Sequence, residues 1–244
     1  MNITVFTIFP EIINDFCSKS LLGKALEKKL WNLKTVNIRD YSQDKHKKVD
    51  DTPYGGEQGL IMRPDVLGNA IDANCDKKTK IIYLSPRGKV FNQEKIKELV
   101  KYDNLAFVCG RYEGIDERVI EEYDIEEISI GDFVLMGGEL PTLVVIEGVV
   151  RCIDGVVGDR DSLKFDSFGG LENNWMFNNL LEYPLYTKPQ VWKNKEVPEV
   201  LVSGNHEKIK EWKIKKAEEI TKNRRSDLWQ KYINNKELKN ERKN

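Results

Sequence analysis

The chain lacks the signatures of the common nucleotide-binding folds. No G-x-G-x-x-G opens a helix, and no G-x-x-x-x-G-K-[ST] occurs. A dinucleotide site of the usual kind and a phosphate-binding P-loop are both excluded. Only 4 cysteines are present. Cys17, Cys75, Cys109 and Cys152 lie far apart, in apolar segments and without a C-x-x-C. They read as small reduced core residues of a cytoplasmic protein, not as a disulfide framework. The 2 histidines, His46 and His206, are too few for a zinc site. No apolar run approaches the roughly 20 residues of a membrane span, so no membrane partner is expected. The opening Met1–Phe9 is apolar but has no basic n-region, and it reads as a first strand.

What is present is glycine at strand ends. Leu105–Cys109 is an apolar run of strand type, followed by Gly110-Arg-Tyr-Glu-Gly114-Ile-Asp-Glu-Arg118. Ile125–Ile130 is another, followed by Gly131-Asp-Phe-Val-Leu-Met-Gly137-Gly138-Glu-Leu-Pro141. Lys80–Leu84 is a third, ending in the turn Ser85-Pro-Arg-Gly88. Glycine there lets backbone approach a ligand, and the strand ends of open α/β sheets are where small molecules bind. Three such turns could line one pocket, with Leu84, Ile130, Phe133 and Leu135 as apolar walls. Each loop on its own is equally well read as plain turn chemistry.

Strand and helix signals alternate over the first two thirds of the chain. Strands are expected at Ile3–Phe9, Leu33–Arg39 and the three runs above. Helices are expected after Pro10, after a Ser20 cap, after Pro64, after an Asn92 cap, and over Thr142–Ile153 with Pro141 opening it. The pattern implies an α/β fold with a mostly parallel sheet and flanking helices. Near Gly155 it stops. Residues 155–184 read as an interdomain linker, and residues 185–244 as a small C-terminal helical domain with caps at Asn205 and Ser226 and a frayed tail, Lys236–Asn244. Residues 1–154 form the first domain.

Net charge is only −1, but it is uneven. Residues 190–244 hold 15 basic and 9 acidic groups, leaving 24 and 31 for the rest of the chain. A basic C-terminal part suggests an anionic partner; a lysine-rich solvated helix face is the alternative. The loop Lys45–Gly59 carries His46, Asp50 and Tyr54, with lysines that suit phosphate and a tyrosine that can stack on a base; a solvated loop is the alternative. Asp159, Asp161 and Asp166 cluster in the linker downstream of Arg151. A carboxylate beside a cleft can act as a general base; in a solvated linker it does nothing.

Taken together these segments resemble one family. Tyr54-Gly-Gly, Leu84-Ser-Pro-x-Gly88, Cys109 to Arg118, Ser129-Ile-Gly-Asp-x-Val-Leu-x-Gly-Gly-Glu-Leu-Pro141, Asp166-Ser-Phe168 and Leu201-x-Ser-Gly-Asn-His206 are similar to the motifs of the bacterial tRNA (guanine-N1)-methyltransferases, the TrmD family of the trefoil-knot (SPOUT) superfamily. The resemblance implies methyl transfer from S-adenosylmethionine to N1 of the guanosine 3′ of the anticodon, position 37. It implies a deep trefoil knot built from Leu84–Gly88, Gly110–Gly114 and Ile130–Pro141, and a homodimer with composite active sites. It makes Asp166 the general base and Arg151 the group that stabilises charge on guanine O6. Around the donor it places Leu84, Ser85, Pro86, Gly110, Tyr112, Glu113, Ser129, Ile130, Gly131, Asp132, Phe133, Val134, Leu135, Gly137, Gly138 and Pro141. Glu113 resembles an acid linked to Mg²⁺. His46, Asp50, Tyr54, Lys208 and Lys215 would face the tRNA. Departures from the family pattern are Glu57-Gln58 in the Tyr54 loop, Asp159 where histidine is common, an apparent insertion over Gly169–Asn179, and an early C-terminus. A knotted enzyme acting on ribose or rRNA, and a non-catalytic RNA binder, are the rival readings.

Overall fold

The computed structural model describes residues 1–158, 166–169 and 178–241. The expectations for Asp159, for Asp161 and for most of the linker and of the 169–179 insertion lie outside them. The chain divides into two compact units, Met1–Gly158 and Asp159–Asn244.

The first unit is built on five parallel strands: β1 (Asn2–Thr7), β2 (Asn32–Asn37), β5 (Lys80–Val90), β6 (Asn104–Val108) and β7 (Glu126–Ser129), in the order β2-β1-β6-β5-β7. A two-stranded ribbon, β3 (Asp50–Asp51) with β4 (Ile61–Met62), interrupts the stretch expected to be loop. The helices are α1 (Pro10–Cys17), α2 (Ser20–Glu27), α3 (Pro64–Asn74), α4 (Gln93–Leu99), α5 (Glu117–Glu122) and α6 (Glu139–Val150).

Both sheet faces are covered, as a parallel sheet requires. Alternate strand residues feed two cores. Val5, Phe107, Ile82 and Leu84 pack with Ile13 and Cys17 of α1 and Val145, Ile146 and Val149 of α6. Phe6, Ala106, Val108 and Ile81 pack with Leu67 and Ile71 of α3 and Val119 of α5 on the other face. Trp31 is wholly buried, and its indole N–H donates to the Leu22 carbonyl at 3.2 Å, so its burial leaves no polar group unpaired.

Local chemistry explains the helix starts, with two corrections. Asn92 and Asn205 cap as expected, accepting from the backbone N–H of Lys95 and Lys208. Ser20 does not cap; it opens α2 itself at φ 53°, and Lys19 holds the cap position. Only Ser18 and Lys19 join α1 to α2, too few for an ordinary entry turn. Helix α6 begins at Glu139, not after Pro141, because proline in a first turn costs no hydrogen bond. Strand β5 also runs past its expected end: Leu84 and Lys89 both pair with Ile128, and Ser85–Gly88 bulges out between them.

The second unit contains the hairpin β8 (Val191–Trp192) and β9 (Lys195–Glu196), then α7 (Glu199–Val202), α8 (His206–Arg224) and α9 (Ser226–Glu241). Its core gathers Leu180, Tyr183, Ala217 and Tyr232. Thr221 accepts from the Leu181 N–H at 2.8 Å. The tail expected to fray is helical to Glu241, held by Lys236 against Glu218 at 3.0 Å and over the Tyr232 ring. Among the described residues no helix is long and apolar enough to cross a membrane.

Candidate active site

The three glycine-rich turns come together: the Ser85–Gly88 bulge within β5 and the turns that follow β6 and β7. They enclose a cleft of about 220 Å³. Every residue that the resemblance placed around the donor lines it except Asp132.

Close backbone contact builds this cleft. Gly138 donates its N–H to the Gly110 carbonyl at 2.9 Å. A Cβ on Gly138 would stand 2.7 Å from the Cys109 Cα and 2.9 Å from the Gly110 nitrogen. A Cβ on Gly88 would lie 2.4 Å from the backbone of Glu127 and Ile128. Side chains are excluded at both positions by main chain that cannot move aside. Ser129 closes the third turn, its hydroxyl accepting from the Gly131 N–H at 3.1 Å. Arg87 pins the Ser85–Gly88 bulge through Glu117 at 2.9 Å and Glu127 at 3.1 Å.

Apolar surface rims the opening. Phe133, Val134, Leu135 and Met136 are consecutive and exposed, Met136 to 91%. Such a rim with backbone polar groups beneath it suits a ligand carrying both a flat ring and hydrogen-bonding edges. Tyr83, Arg111, Gly114, Ile128 and Met136 also line the cleft, and sequence reasoning missed them. The Tyr83 ring packs where a Cβ on Gly110 would come within 2.7 Å. Burial, with the Glu127 charge adding to it, pushes the Tyr83 phenol above its ordinary pKa. Its place in strand alternation next to Leu84 was the available signal.

The Lys45–Gly59 loop is stitched to this rim. Glu113 donates its N–H to Leu60 at 2.9 Å and Met62 donates to Gly114 at 3.0 Å. A Cβ on Gly59 would meet the Glu113 side chain. Tyr54 is 97% exposed, His46 is exposed and Asp50 is half-buried in β3. Glu113 is an exposed carboxylate, and the described residues contain no group of three or more histidine, cysteine or acidic side chains that could hold a metal.

Arg151 is not in the cleft. It caps the far end of α6 and lines a second cavity, of about 200 Å³, with Phe16, Leu21, Glu147 and Val156. Gly138 and Arg151 flank the two ends of the helix, about 20 Å apart at 1.5 Å per residue. Asp166 belongs to the second unit and is half-buried. Its turn is tied down by Phe168 donating to Leu180 at 2.8 Å and by Ser167 accepting from Glu182 at 2.9 Å. In that same unit Lys208, Lys215 and Lys222 are exposed at seven-residue spacing along one face of α8. Lys213 is drawn instead over the Tyr183 ring, and Lys216 pairs with Glu219.

Comparison with known proteins identifies the family. Residues 1–231 match the family model described as tRNA (Guanine-1)-methyltransferase TrmD. A protein of Wolbachia pipientis wMel, named tRNA (guanine-N(1)-)-methyltransferase, is 48% identical over 239 residues, 96% of this chain and 98% of its own. Proteins of the same name from Pelagibacter ubique and Rickettsia akari are 47% and 50% identical, over 95% and 93% of this chain and 98% and 97% of theirs. With a family match from the first strand to the last helix and a cleft where its motifs converge, the chain belongs to the TrmD family of tRNA (guanine-N1)-methyltransferases.

Proposed function

We propose that this protein transfers the methyl group of S-adenosylmethionine to N1 of the guanosine 3′ of the anticodon, position 37, in tRNA. The observation that carries the reading is the cleft formed by three glycine-rich turns packed backbone on backbone. Family membership supplies the substrate class. It also supplies the deep trefoil knot, and the contact of Gly138 with Cys109 and Gly110 is the closeness that threaded loops require.

Guanine N1 carries a proton, so its lone pair is not available to attack. In the proposed step Asp166 takes that proton as N1 bonds to the methyl carbon. The carbon–sulfur bond breaks, its electron pair stays on sulfur, and the sulfonium becomes the neutral thioether of S-adenosylhomocysteine. The Arg151 guanidinium stabilises the negative charge that gathers on O6. The cleft aligns methyl with nitrogen.

Arg151 stands about 15 Å along α6 from Pro141, the last residue of that helix to line its own chain's cleft, farther than one side chain reaches. A homodimer with composite sites resolves this. Helix α6 is mostly apolar, and beside the charged Glu147 it leaves Leu140 and Val144 exposed, with Phe16 and Leu21 exposed beside the Arg151 cavity. That surface suits a second copy of the chain. We assign residues 1–154 to donor binding, 155–184 to a linker carrying the base, and 185–244 to tRNA binding through the Lys208, Lys215 and Lys222 face, with His46, Asp50 and Tyr54 also toward the RNA. A tRNA substrate places the protein in the cytoplasm.

The test is transfer of labelled methyl to unmodified tRNA, followed by nucleoside analysis. N1-methylguanosine is expected, and Asp166→Ala should abolish it while S-adenosylhomocysteine still binds. Label in a ribose or in another base would refute the assignment.

A further inference from the structure

A buried charge beside the cleft has no part in the transfer step. Glu139 opens α6, yet it is 1% exposed. Its Oε1 accepts from the Thr7 hydroxyl at 2.7 Å. Thr7 ends β1, is wholly buried, and accepts in turn from the Phe9 N–H at 3.0 Å. The other carboxylate oxygen lies 2.8 Å from Nη2 of Arg111. That contact is close but not aligned as a hydrogen bond, and Arg111 Nε also has no hydrogen-bond partner among the described residues. The guanidinium sits 4.6 Å from the centre of the Phe9 ring. It also lies across Gly137, where a Cβ would come within 2.3 Å of Arg111 Nε.

Stability alone does not account for this arrangement. Burying an ion pair costs desolvation that its attraction barely repays, and apolar side chains of like volume often do as well or better. The positive end of α6 eases the carboxylate's burial but does not require it. What the pair does is geometric. Arg111 belongs to the turn forming one wall of the cleft, and Gly137 and Glu139 belong to the segment forming the other. Main chain joins the walls at Gly110 with Gly138 and at Arg111 with Gly137. Side chains join them through Arg111 and Glu139, with the Cys109 thiol donating to the Thr142 hydroxyl at 3.4 Å behind them, and Thr7 anchors the Arg111–Glu139 junction to the end of β1.

We infer that Glu139 and Thr7 are positioning residues: they hold Arg111 across Gly137 and so set the spacing between the two walls of the donor cleft. The inference rests on the donor reading of that cleft. Donor affinity then depends on the pair, and tRNA affinity does not.

The test uses the full-length protein and titrates S-adenosylhomocysteine by calorimetry, with tRNA binding and thermal melting measured alongside. Glu139→Gln keeps the shape and removes the charge; it should weaken S-adenosylhomocysteine binding by about tenfold or more and leave tRNA affinity within about twofold. Thr7→Ser should bind like wild type, and Thr7→Val should lose affinity in the same direction. The double variant Arg111→Met with Glu139→Leu replaces the pair by apolar groups. It should melt cooperatively at or above the wild-type temperature and still bind the thioether poorly, a separation that a merely structural pair would not produce. If the double variant binds within about twofold of wild type, or if neither Glu139 variant melts cooperatively, the inference is overturned. A wild-type protein that fails to bind S-adenosylhomocysteine would remove the donor reading itself. Unaffected variants of a binding wild type remove only this inference.

Discussion

Replacing Gly138 with alanine should open the donor cleft without unfolding the protein. The added Cβ would stand 2.7 Å from the Cys109 Cα, 2.9 Å from the Gly110 nitrogen and 3.1 Å from the Cys109 carbonyl carbon. Carbon atoms pack at about 3.5–4.0 Å, so the two walls must part by about 1 Å. All three obstructing atoms are backbone, so no rotamer change relieves the clash. Parting also stretches the 2.9 Å hydrogen bond from Gly138 to Gly110. Overpacking of this size costs about 2 kcal/mol, which in a chain of 244 residues lowers Tm by about 4–8 °C. A displacement of about 1 Å at the reacting centre costs about a hundredfold in rate. The assay is methyl transfer with S-adenosylhomocysteine calorimetry, and Gly158→Ala, where a Cβ meets nothing within 4 Å among the described residues, is the control. Wild-type affinity and turnover in Gly138→Ala would refute the claim that backbone contact sets the cleft.

A second expectation concerns subunit composition. Arg151→Ala and Gly138→Ala should each be nearly inactive. Mixed and reassembled in equal amounts they should recover about a quarter of wild-type activity, since half the dimers pair an intact cleft with an intact Arg151; no recovery would place Arg151 with its own cleft or outside catalysis. Replacing Lys208, Lys215 and Lys222 by alanine should weaken tRNA binding and lower the slope of log affinity against log salt by about 2–3, while an unchanged slope would put the RNA contact elsewhere. Alkaline pH should destabilise the fold through its cysteines. Burial pushes the Cys17 and Cys75 thiols up to about 11, so the folded chain keeps protons that the unfolded chain releases from about pH 9. Stability is therefore intact below pH 9 and falls between about pH 9 and 11, by about 1.4 kcal/mol per pH unit for each thiol. Denaturant titrations at pH 8 and pH 10.5 check this, and serine at Cys75, the less buried of the two, should shrink the difference.

The five strands, the helices other than α5 and the glycine turns were legible in the sequence, because alternating apolar runs and clustered glycines are local patterns; α5, six residues following a glycine turn, was not. The motifs were equally legible, since their order along the chain survives without coordinates. Tertiary structure decided what depends on distant residues meeting. Glu139 follows a glycine-rich turn at a helix start where a charge would ordinarily face water, and its burial goes with Thr7 arriving from the end of β1 and Arg111 from the turn after β6. An acid opening a mostly apolar helix was the one hint. Ser20 has the chemistry of a cap, but the two-residue link before it forced another backbone conformation. Gly138 and Arg151 flank opposite ends of α6, a separation in space that motif order along the chain does not display. Local sequence sets conformation through φ/ψ preference and periodicity; the meeting of groups many residues apart is set by strand order, which no short window contains.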